Sequence, residues 1–297
     1  MVNHSSGADE VTPDLGEGTI TAAVVESFAG AKDERLAHCI GVLVRHLHAA
    51  VRELEPTSAE WLAVVEFLTA TGHKSDDTRQ EFVLLSDVLG VSALVENINH
   101  RKAGGATEAT VLGPFHMTQS PPRELGDSID EVGHDEVCLV TGQVRSVDGT
   151  PLAGASVDVW QADDAGFYDV QQPDIQPAGN GRGLFTTDTD GRFHFRTVVP
   201  VHYPIPTDGP VGALLLDTGR HPYRPAHIHF LVEADGHRPV TTHIFVSGDP
   251  YLGSDAVFSV KRSLVREFRL VEDPGGAEYG LTPPYRHAHI ELVLEPA

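Results

Sequence analysis

Two histidines, His227 and His229, are separated by one residue inside a short, largely apolar stretch, 225–233, whose pattern is typical of a β-strand. Side chains two positions apart on a strand point to the same face, with their Cα atoms about 6–7 Å apart. Two imidazoles in this arrangement can bind one metal ion, and imidazole suits zinc, copper, iron and nickel alike. The spacing therefore predicts a candidate metal site without identifying the metal.

Two further pairs with the same spacing compete with this prediction. His46 and His48 lie in a stretch with helical periodicity, where positions i and i+2 diverge by about 200° around the axis, so they cannot share one ion. His287 and His289 begin the last predicted strand of the chain. On spacing alone, this last pair remains an alternative metal site.

Two of the six tyrosines lie in segments that should position a functional group. Tyr168 follows a predicted strand at 156–160, and Tyr203 lies between prolines at 200 and 204, which stiffen the backbone. A phenol with a pKa near 10 becomes a good ligand only when a highly charged cation removes its proton. Together with the histidine pair, the tyrosines favour ferric iron over zinc. For each tyrosine alone, the alternative is a core residue with a hydrogen-bonded hydroxyl.

Composition limits the classes of partner. The 297 residues include 21 basic and 43 acidic side chains, for a formal net charge of −22, which argues against nucleic acid. Apolar runs fall far short of the roughly 18–20 residues of a membrane span, so we expect no membrane association. Two cysteines, Cys39 and Cys138, cannot form a disulfide framework, and we expect no secretory leader. The expected location is the cytoplasm.

Helical periodicity extends from about residue 20 to residue 102. Residues 1–18 are polar and are predicted to form a flexible N-terminus, and residues 19–104 are predicted to form a helical module. Pro56 ends its longest apolar stripe, which consists of Leu36, Ile40, Leu43, Val44, Leu47, Val51 and Leu54.

Capping patterns locate the shorter helices of this module. Thr57 with Glu60, and Thr78 with Glu81, have the spacing of capping boxes that begin a helix. Gly72 is expected to end the first of these helices, and a last short helix is expected over 92–100.

The period changes to that of strands after residue 104. Asp148-Gly149 is expected to join the first two predicted strands as a hairpin turn. Short strands separated by glycine and proline turns are typical of a β-sandwich. We therefore predict a mainly β protein, with an α-helical N-terminal module and a β-sandwich catalytic domain over 105–297. Its strands are predicted at 137–144, 156–160, 192–195, 227–232, 241–246 and 289–294.

Three segments resemble the intradiol ring-cleaving dioxygenases, enzymes of aromatic degradation: DGTPLAGASVDVWQADDAGFYD, RGLFTTDTDGRFHFRTVVPVHYPIPTDGP and HPYRPAHIHFLV. The specific part is the order Tyr…Tyr…Arg-x-x-His-x-His, and the resemblance extends from about residue 20 to the end. It implies the β-sandwich fold and one non-haem Fe(III) per subunit, bound by Tyr168, Tyr203, His227 and His229. It also implies a homodimer formed through the N-terminal helices, whose interface in this family can hold a lipid.

The resemblance further implies cleavage of a small aromatic diol or triol by O₂, between adjacent hydroxylated carbons. Tyr203 is then the tyrosinate that leaves and accepts a proton when the substrate binds, and Arg224 stabilises the anionic substrate. His243, where catechol-cleaving relatives carry glutamine, is expected to lie beside the ligands and hydrogen-bond an oxygen intermediate. The expected substrate pocket comprises Leu84, Asp87, Val111, Leu112, Gly113, Phe115, Ile205, Pro206 and Val257.

Within the family, EFVLLSDVLGVS, EATVLGPFH and TTHIFVSGDPYLGSDAVF are most similar to members that act on hydroxyquinol (1,2,4-trihydroxybenzene), giving 3-hydroxy-cis,cis-muconate or its tautomer maleylacetate. Asp87 is then a hydrogen-bond acceptor for the third ring hydroxyl, and its alternative is an ordinary carboxylate on a helix surface. Catechol or chlorocatechol is the alternative substrate. From other classes, the alternatives are a non-catalytic β-sandwich binding module and a zinc or Fe(II) enzyme of the cupin kind.

Overall fold

The structure is a computed structural model that describes residues 15–76, 79–101, 104–116, 120–134, 136–273 and 279–297. The chain divides into two compact units, Met1–Leu68 and Thr69–Ala297. Most of the predicted flexible terminus, 1–18, lies outside the described residues. The predicted limits of the helical and catalytic modules, 19–104 and 105–297, stay a prediction.

Six α-helices occur in the described residues, five of them before the first strand. The longest begins where the Asp33 carboxylate accepts the backbone N–H of Leu36 at 3.0 Å, and it ends two residues before Pro56, as the apolar stripe predicts. No helix in this part of the chain is long and apolar enough to cross a bilayer. The helices are α1 (Ile20–Glu26), α2 (Glu34–Leu54), α3 (Ser58–Lys74), α4 (Glu81–Val88), α5 (Val91–Asn99) and α6 (Pro210–Asp217).

The start of α3 has the predicted capping box. Thr57 donates its backbone N–H to the Glu60 carboxylate at 2.8 Å, and the Glu60 N–H donates to the Thr57 hydroxyl at 3.2 Å. The predicted end at Gly72 is wrong by two residues, because the helix continues to Lys74. The second predicted box includes Thr78, which lies outside the described residues.

Eleven strands are described, most of them in two sheets. The first sheet has the order β10-β11-β1-β4, the second has the order β3-β2-β7-β8-β9, and β5 and β6 form a separate ribbon. The strands are β1 (Cys138–Ser146), β2 (Ser156–Trp160), β3 (Arg182–Thr186), β4 (Arg192–Thr197), β5 (Tyr203–Pro204), β6 (Tyr223–Arg224), β7 (His227–Glu233), β8 (Val240–Val246), β9 (Val265–Arg266), β10 (Arg269–Val271) and β11 (Tyr285–Leu294).

The predicted hairpin between β1 and β2 is wrong. A turn does form at Asp148-Gly149, where Gly149 has φ +88°, but the returning chain makes only one isolated bridge, at Pro151. It then crosses over, because β2 pairs with β3 and β7 in the other sheet. A local turn motif reports that the chain reverses but not which strand it pairs with next.

The core lies between the two sheets and is built from alternate residues of each strand. β7 contributes Ile228, Phe230 and Val232 to this core, together with Val157 and Val159 of β2. The intervening residues of β7 therefore face away from the core, and the functional side chains lie on this other face of the second sheet.

Candidate metal centre

The strand alternation of β7 brings His227 and His229 together on one face. Their Nε2 atoms are 3.1 Å apart, and both side chains are buried. Since Ile228 between them is fully buried in the core, the strand cannot shift its register by one residue without exchanging the two faces. The spacing predicted a shared face, and the structure has it.

Two loops bring the tyrosines onto the same histidines. Tyr168 begins the short 3₁₀ helix Asp169–Gln171, and its hydroxyl lies 3.0 Å from Nε2 of His229. Tyr203 is held in the β5–β6 ribbon, and its hydroxyl lies 3.2 Å from that of Tyr168 and 3.4 Å from Nε2 of His227. These contacts close a buried ring of four donor atoms.

The dimensions of this donor ring fit a metal ion. Donors about 2.0–2.2 Å from a metal and roughly 90–110° apart lie about 3 Å from one another. The four contacts around the ring measure 3.0, 3.2, 3.4 and 3.1 Å. Two phenol oxygens and two imidazole nitrogens therefore already have the mutual spacing of ligands on a single ion.

The protonation of His227 suits a ligand. Its Nδ1 lies 2.6 Å from the carbonyl oxygen of Pro225, an acceptor, so Nδ1 carries the proton and Nε2 presents a lone pair to the ring. Burial, and then the charge of Arg224, lower its pKa to about 3. Burial likewise holds the pKa of His229 well below its usual value. Both imidazoles are thus neutral bases.

The phenols remain protonated without a cation. Burial raises the pKa of Tyr168 well above 10, and the neighbouring Tyr203 raises it further. Burial also raises the pKa of Tyr203, while the charge of Arg224 works against the increase. Only a strong positive charge in the ring would ionise both hydroxyls.

The guanidinium of Arg224 lies beside this ring. Arg224 pairs with Tyr203 across the β5–β6 ribbon, and its charge opposes the effect of burial on the pKa of Tyr203. Only 3% of Arg224 is exposed, and burial alone would lower its pKa. The charge of Asp255 and its hydrogen bond to the guanidinium outweigh that effect and raise the pKa, so Arg224 is a permanent buried cation.

His243 is a third buried imidazole at the cluster. It lies opposite His229 in the β7–β8 pairing, with ring centroids 4.1 Å apart. Its Nδ1 is hydrogen-bonded to the Thr110 hydroxyl, and its Nε2 has no hydrogen-bond partner among the described residues. Nitrogens of His227, His229 and His243 lie within 4.8 Å of one another, so the imidazoles alone are a looser candidate metal set.

Two cavities adjoin the cluster, and they divide the predicted pocket residues. The larger, of about 680 Å³, is lined by Leu84, Phe115, Ile205 and Pro206, and the Phe115 ring stacks on Tyr168 at 4.6 Å. Gln80 and Pro114 line both cavities. The smaller, of about 390 Å³, is lined by Asp87, Val111, Leu112 and Gly113. Val257 lines neither cavity and is buried beside Arg224's partner, Asp255.

Asp87 is buried in the cavity wall. It lies on α4 with 3% of its surface exposed, which argues against the surface-carboxylate alternative. Burial raises its pKa, whereas a hydrogen bond from Ser92 and the charge of Arg224 work to lower it. A polar acceptor is therefore present in a mostly apolar wall.

His287 and His289 lie on the first sheet, where both contact the hydroxyl of one threonine. Nε2 of His287 and Nδ1 of His289 are each 2.9 Å from the hydroxyl of Thr141 on β1.

The residues that sequence reasoning missed are Asp255 and Ser259, which hydrogen-bond to Arg224. The only sequence signal was that Asp255 lies in a segment that resembles the family, directly after which Ser259 follows.

Comparisons with known proteins agree with this geometry. A family model described as "Catechol dioxygenase N terminus" matches residues 33–107, and one described as "Dioxygenase" matches residues 113–289. The chain is 52% identical to the hydroxyquinol 1,2-dioxygenase of Rhizobium sp. (strain MTP-10005) over 86% of each chain. It is 50% identical to the 6-chlorohydroxyquinol 1,2-dioxygenase of Cupriavidus pinatubonensis, over 84% of this chain and 90% of the relative.

A solved structure extends the comparison to the fold. The hydroxyquinol 1,2-dioxygenase from Pseudomonas putida DLL-E4 matches with a TM-score of 0.89 and 47% identity, over 95% of this chain and 99% of that one. The chain therefore belongs to the intradiol catechol dioxygenase family. It is an intradiol dioxygenase with a helical N-terminal region followed by a β-sheet catalytic domain, which confirms the predicted class. The buried histidine and tyrosine cluster is consistent with the non-haem iron that the family implies.

Proposed function

We propose that this enzyme uses Fe(III) and O₂ to open the ring of hydroxyquinol between adjacent hydroxylated carbons, giving 3-hydroxy-cis,cis-muconate or maleylacetate. The observation that carries the proposal is the closed ring of four buried donors. Tyr168, Tyr203, His227 and His229 would hold one iron per subunit. The bound ferric ion would draw electron density from an aromatic diolate and make the ring reactive toward O₂.

The choice of ferric iron rests on the two phenols. Burial has raised the pKa values of both tyrosines, so their ionisation requires a strong positive charge. A trivalent ion favours the two phenolates more than zinc or Fe(II), which carry less charge, and it prefers anionic oxygen ligands. Neutral His227 and His229 complete the set without adding charge.

Tyr203 would accept a proton when the substrate binds. A catechol-type substrate must lose two protons to bind through two oxygens. A leaving tyrosinate can take one of them, and a hydroxide ion can take the other and leave as water. Tyr203 has the longest contact in the donor ring, 3.4 Å to His227, and it lies opposite the cationic Arg224 in the β5–β6 ribbon. Arg224 can therefore hold the displaced phenol while stabilising negative charge on the substrate.

His243 would interact with oxygen during the reaction. Because the Thr110 hydroxyl engages Nδ1, the ring is fixed with Nε2 available beside His229. We propose that Nε2 hydrogen-bonds an oxygen atom during turnover. In this role His243 acts by hydrogen bonding and is not a metal ligand.

Asp87 carries the preference for a third hydroxyl. A buried acceptor left unpaired by plain catechol costs free energy, whereas the 4-hydroxyl of hydroxyquinol can donate to it. Relatives that are 50% and 52% identical are named for hydroxyquinol and its 6-chloro derivative, in agreement with this choice. Catechol and chlorocatechols are the alternative substrates.

Purified enzyme loaded with iron should consume O₂ with hydroxyquinol much faster than with catechol. Oxygen uptake measures both rates, and mass spectrometry of the product in ¹⁸O₂ should show two labelled oxygen atoms before exchange. Metal analysis should give one iron per chain. Turnover of catechol at an equal or higher rate would contradict the proposed substrate, and zinc in place of iron would contradict the proposed cofactor.

Asp87→Asn should lower the ratio of kcat/KM for hydroxyquinol to that for catechol by at least about tenfold, because the neutral amide accepts more weakly. The matched control is Glu96→Gln, since Glu96 lines the same cavity but pairs with His100 at 3.0 Å. The ratio should be unchanged in this control. An unchanged ratio in Asp87→Asn would refute the assignment of Asp87.

We also propose that the chain forms a homodimer through its N-terminal helices in the cytoplasm. Within the first compact unit, α2 has one buried residue, and five of the seven residues of its apolar stripe are more than half exposed: Leu36, Leu43, Leu47, Val51 and Leu54. A partner helix, or a lipid held at the interface, would cover this stripe. Light scattering of the purified enzyme should give twice the chain mass, and a monomer would contradict the proposal.

A further inference from the structure

The segment 255–259 folds around one buried carboxylate. Oδ1 of Asp255 accepts the backbone N–H of Val257 at 3.2 Å. Oδ2 accepts both the backbone N–H and the hydroxyl of Ser259, at 3.0 and 2.5 Å. Asp255 and Ser259 are 5% and 1% exposed, so these hydrogen bonds are shielded from solvent.

The same two residues hold the guanidinium of Arg224. Nε of Arg224 donates to Oδ1 of Asp255 at 3.3 Å, and Nη2 donates to the Ser259 hydroxyl at 2.7 Å. A guanidinium is planar, so two anchored nitrogens define its plane as well as its position. Arg224 lies directly opposite Tyr203, one of the four donors, in the β5–β6 ribbon, so the anchored group is next to the donor ring.

The hydroxyl of Ser259 acts as a link in this arrangement. It accepts a hydrogen bond from Arg224 and donates one to Asp255, so the three side chains form a closed polar network. Because the network is buried, an unpaired charge or hydrogen-bond donor in it would cost free energy of folding. The orientation of Arg224 is therefore set by residues that do not themselves face the donor ring.

We infer that Asp255 and Ser259 are positioning residues that aim the Arg224 guanidinium at the charge that develops on the substrate. This inference rests on the role of Arg224 in the proposed function. Preorganised charge stabilises a transition state only when its direction is fixed before the reaction. A guanidinium free to rotate would still neutralise Asp255 and still bind substrate, but it would stabilise the reacting state less well.

Asp255→Asn tests the network most directly. The amide nitrogen would face the N–H and O–H of Ser259, both donors, so the loop and the guanidinium must reorient. We expect kcat for hydroxyquinol to fall by about 100-fold, the loss typical of a displacement near 1 Å. The dissociation constant measured anaerobically from the absorbance change on substrate binding should change less than threefold, and iron content should be unchanged.

Ser259→Ala is the second variant, for the case in which Asp255→Asn does not fold. It removes only the linking hydroxyl, so we expect the fold to stay intact. We expect a smaller fall in kcat, of about tenfold, with an unchanged anaerobic dissociation constant. Ser259→Thr keeps the hydroxyl and should restore most of kcat. A structural role alone predicts instead that kcat, substrate affinity and iron content fall together.

A double-mutant cycle separates positioning from stability. In an Arg224→Met background there is no guanidinium to aim, so Asp255→Asn should lower kcat no further. The thermal midpoint should rise in the same step, because the second change removes a buried charge without a partner. Additive losses in kcat would overturn the inference, as would Ser259→Ala and Asp255→Asn enzymes with normal kcat. If the wild-type enzyme cleaves no aromatic diol, the proposed function itself fails.

Discussion

Tyr168→Phe should yield a folded protein that retains little iron, has no visible colour and shows almost no ring-cleaving activity. The substitution deletes the hydroxyl that contacts both His229 and Tyr203, at 3.0 and 3.2 Å. The aromatic ring of residue 168 remains and keeps the packing. Outer-shell changes around metals cost about 10- to 100-fold in affinity or activity, so loss of a ligand should cost at least about 100-fold.

The loss of colour is the specific part of this expectation. Phenolate bound to ferric iron absorbs visible light by charge transfer, and we expect wild-type enzyme to be red-brown. Iron content, the visible spectrum and oxygen uptake measure the three effects. Tyr251→Phe is the control, because Tyr251 stacks on Tyr223 at 4.7 Å in a different aromatic cluster and should keep all three properties. A Tyr168→Phe enzyme with normal colour would remove Tyr168 from the metal site.

Arg224→Met should lower kcat/KM for hydroxyquinol by about 10²–10³-fold, the typical effect of removing one donor from a developing anion. Methionine keeps an unbranched apolar stem of the kind that arginine has but lacks the charged guanidinium opposite Tyr203. Stability should fall as well, because Asp255 is buried and its pKa, which burial would raise, is lowered mainly by the charge of Arg224. Steady-state kinetics and thermal denaturation measure the two effects.

The control for Arg224→Met is Arg196→Met. Arg196 lies on β4 in the other sheet and donates to the carbonyl oxygen of Gly126 at 2.8 Å. We expect Arg196→Met to change stability without changing kcat/KM. Equal kinetic effects of the two substitutions would mean that Arg224 has no special role in the reaction.

The sequence predicted the pair of histidine ligands more securely than it predicted the order of the strands. His227 and His229 could be placed together because their contact depends only on the period of one strand. Tyr168 and Tyr203 are 35 residues apart, and only their resemblance to a known order of residues predicted that they meet. The β1–β2 hairpin failed because strand pairing depends on the whole sheet and not on the turn.

Asp255 and Ser259 show a different limit of sequence reasoning. They reach Arg224 across 31 and 35 residues, in a loop with no periodic pattern to indicate which side chains are buried. The helix α6 was also missed, since eight residues beginning with proline give too short an apolar pattern to separate a helix from a strand.

The alternation along β7 has a consequence for anyone who redesigns this enzyme. Ile228 and Phe230 pack in the core between the sheets, while the histidines on either side of Ile228 face the donor ring. A substitution that repacks the interior at Ile228 moves the backbone that carries both imidazoles. Heat resistance and turnover are thus coupled through a single strand, and variants selected for one should be screened for the other.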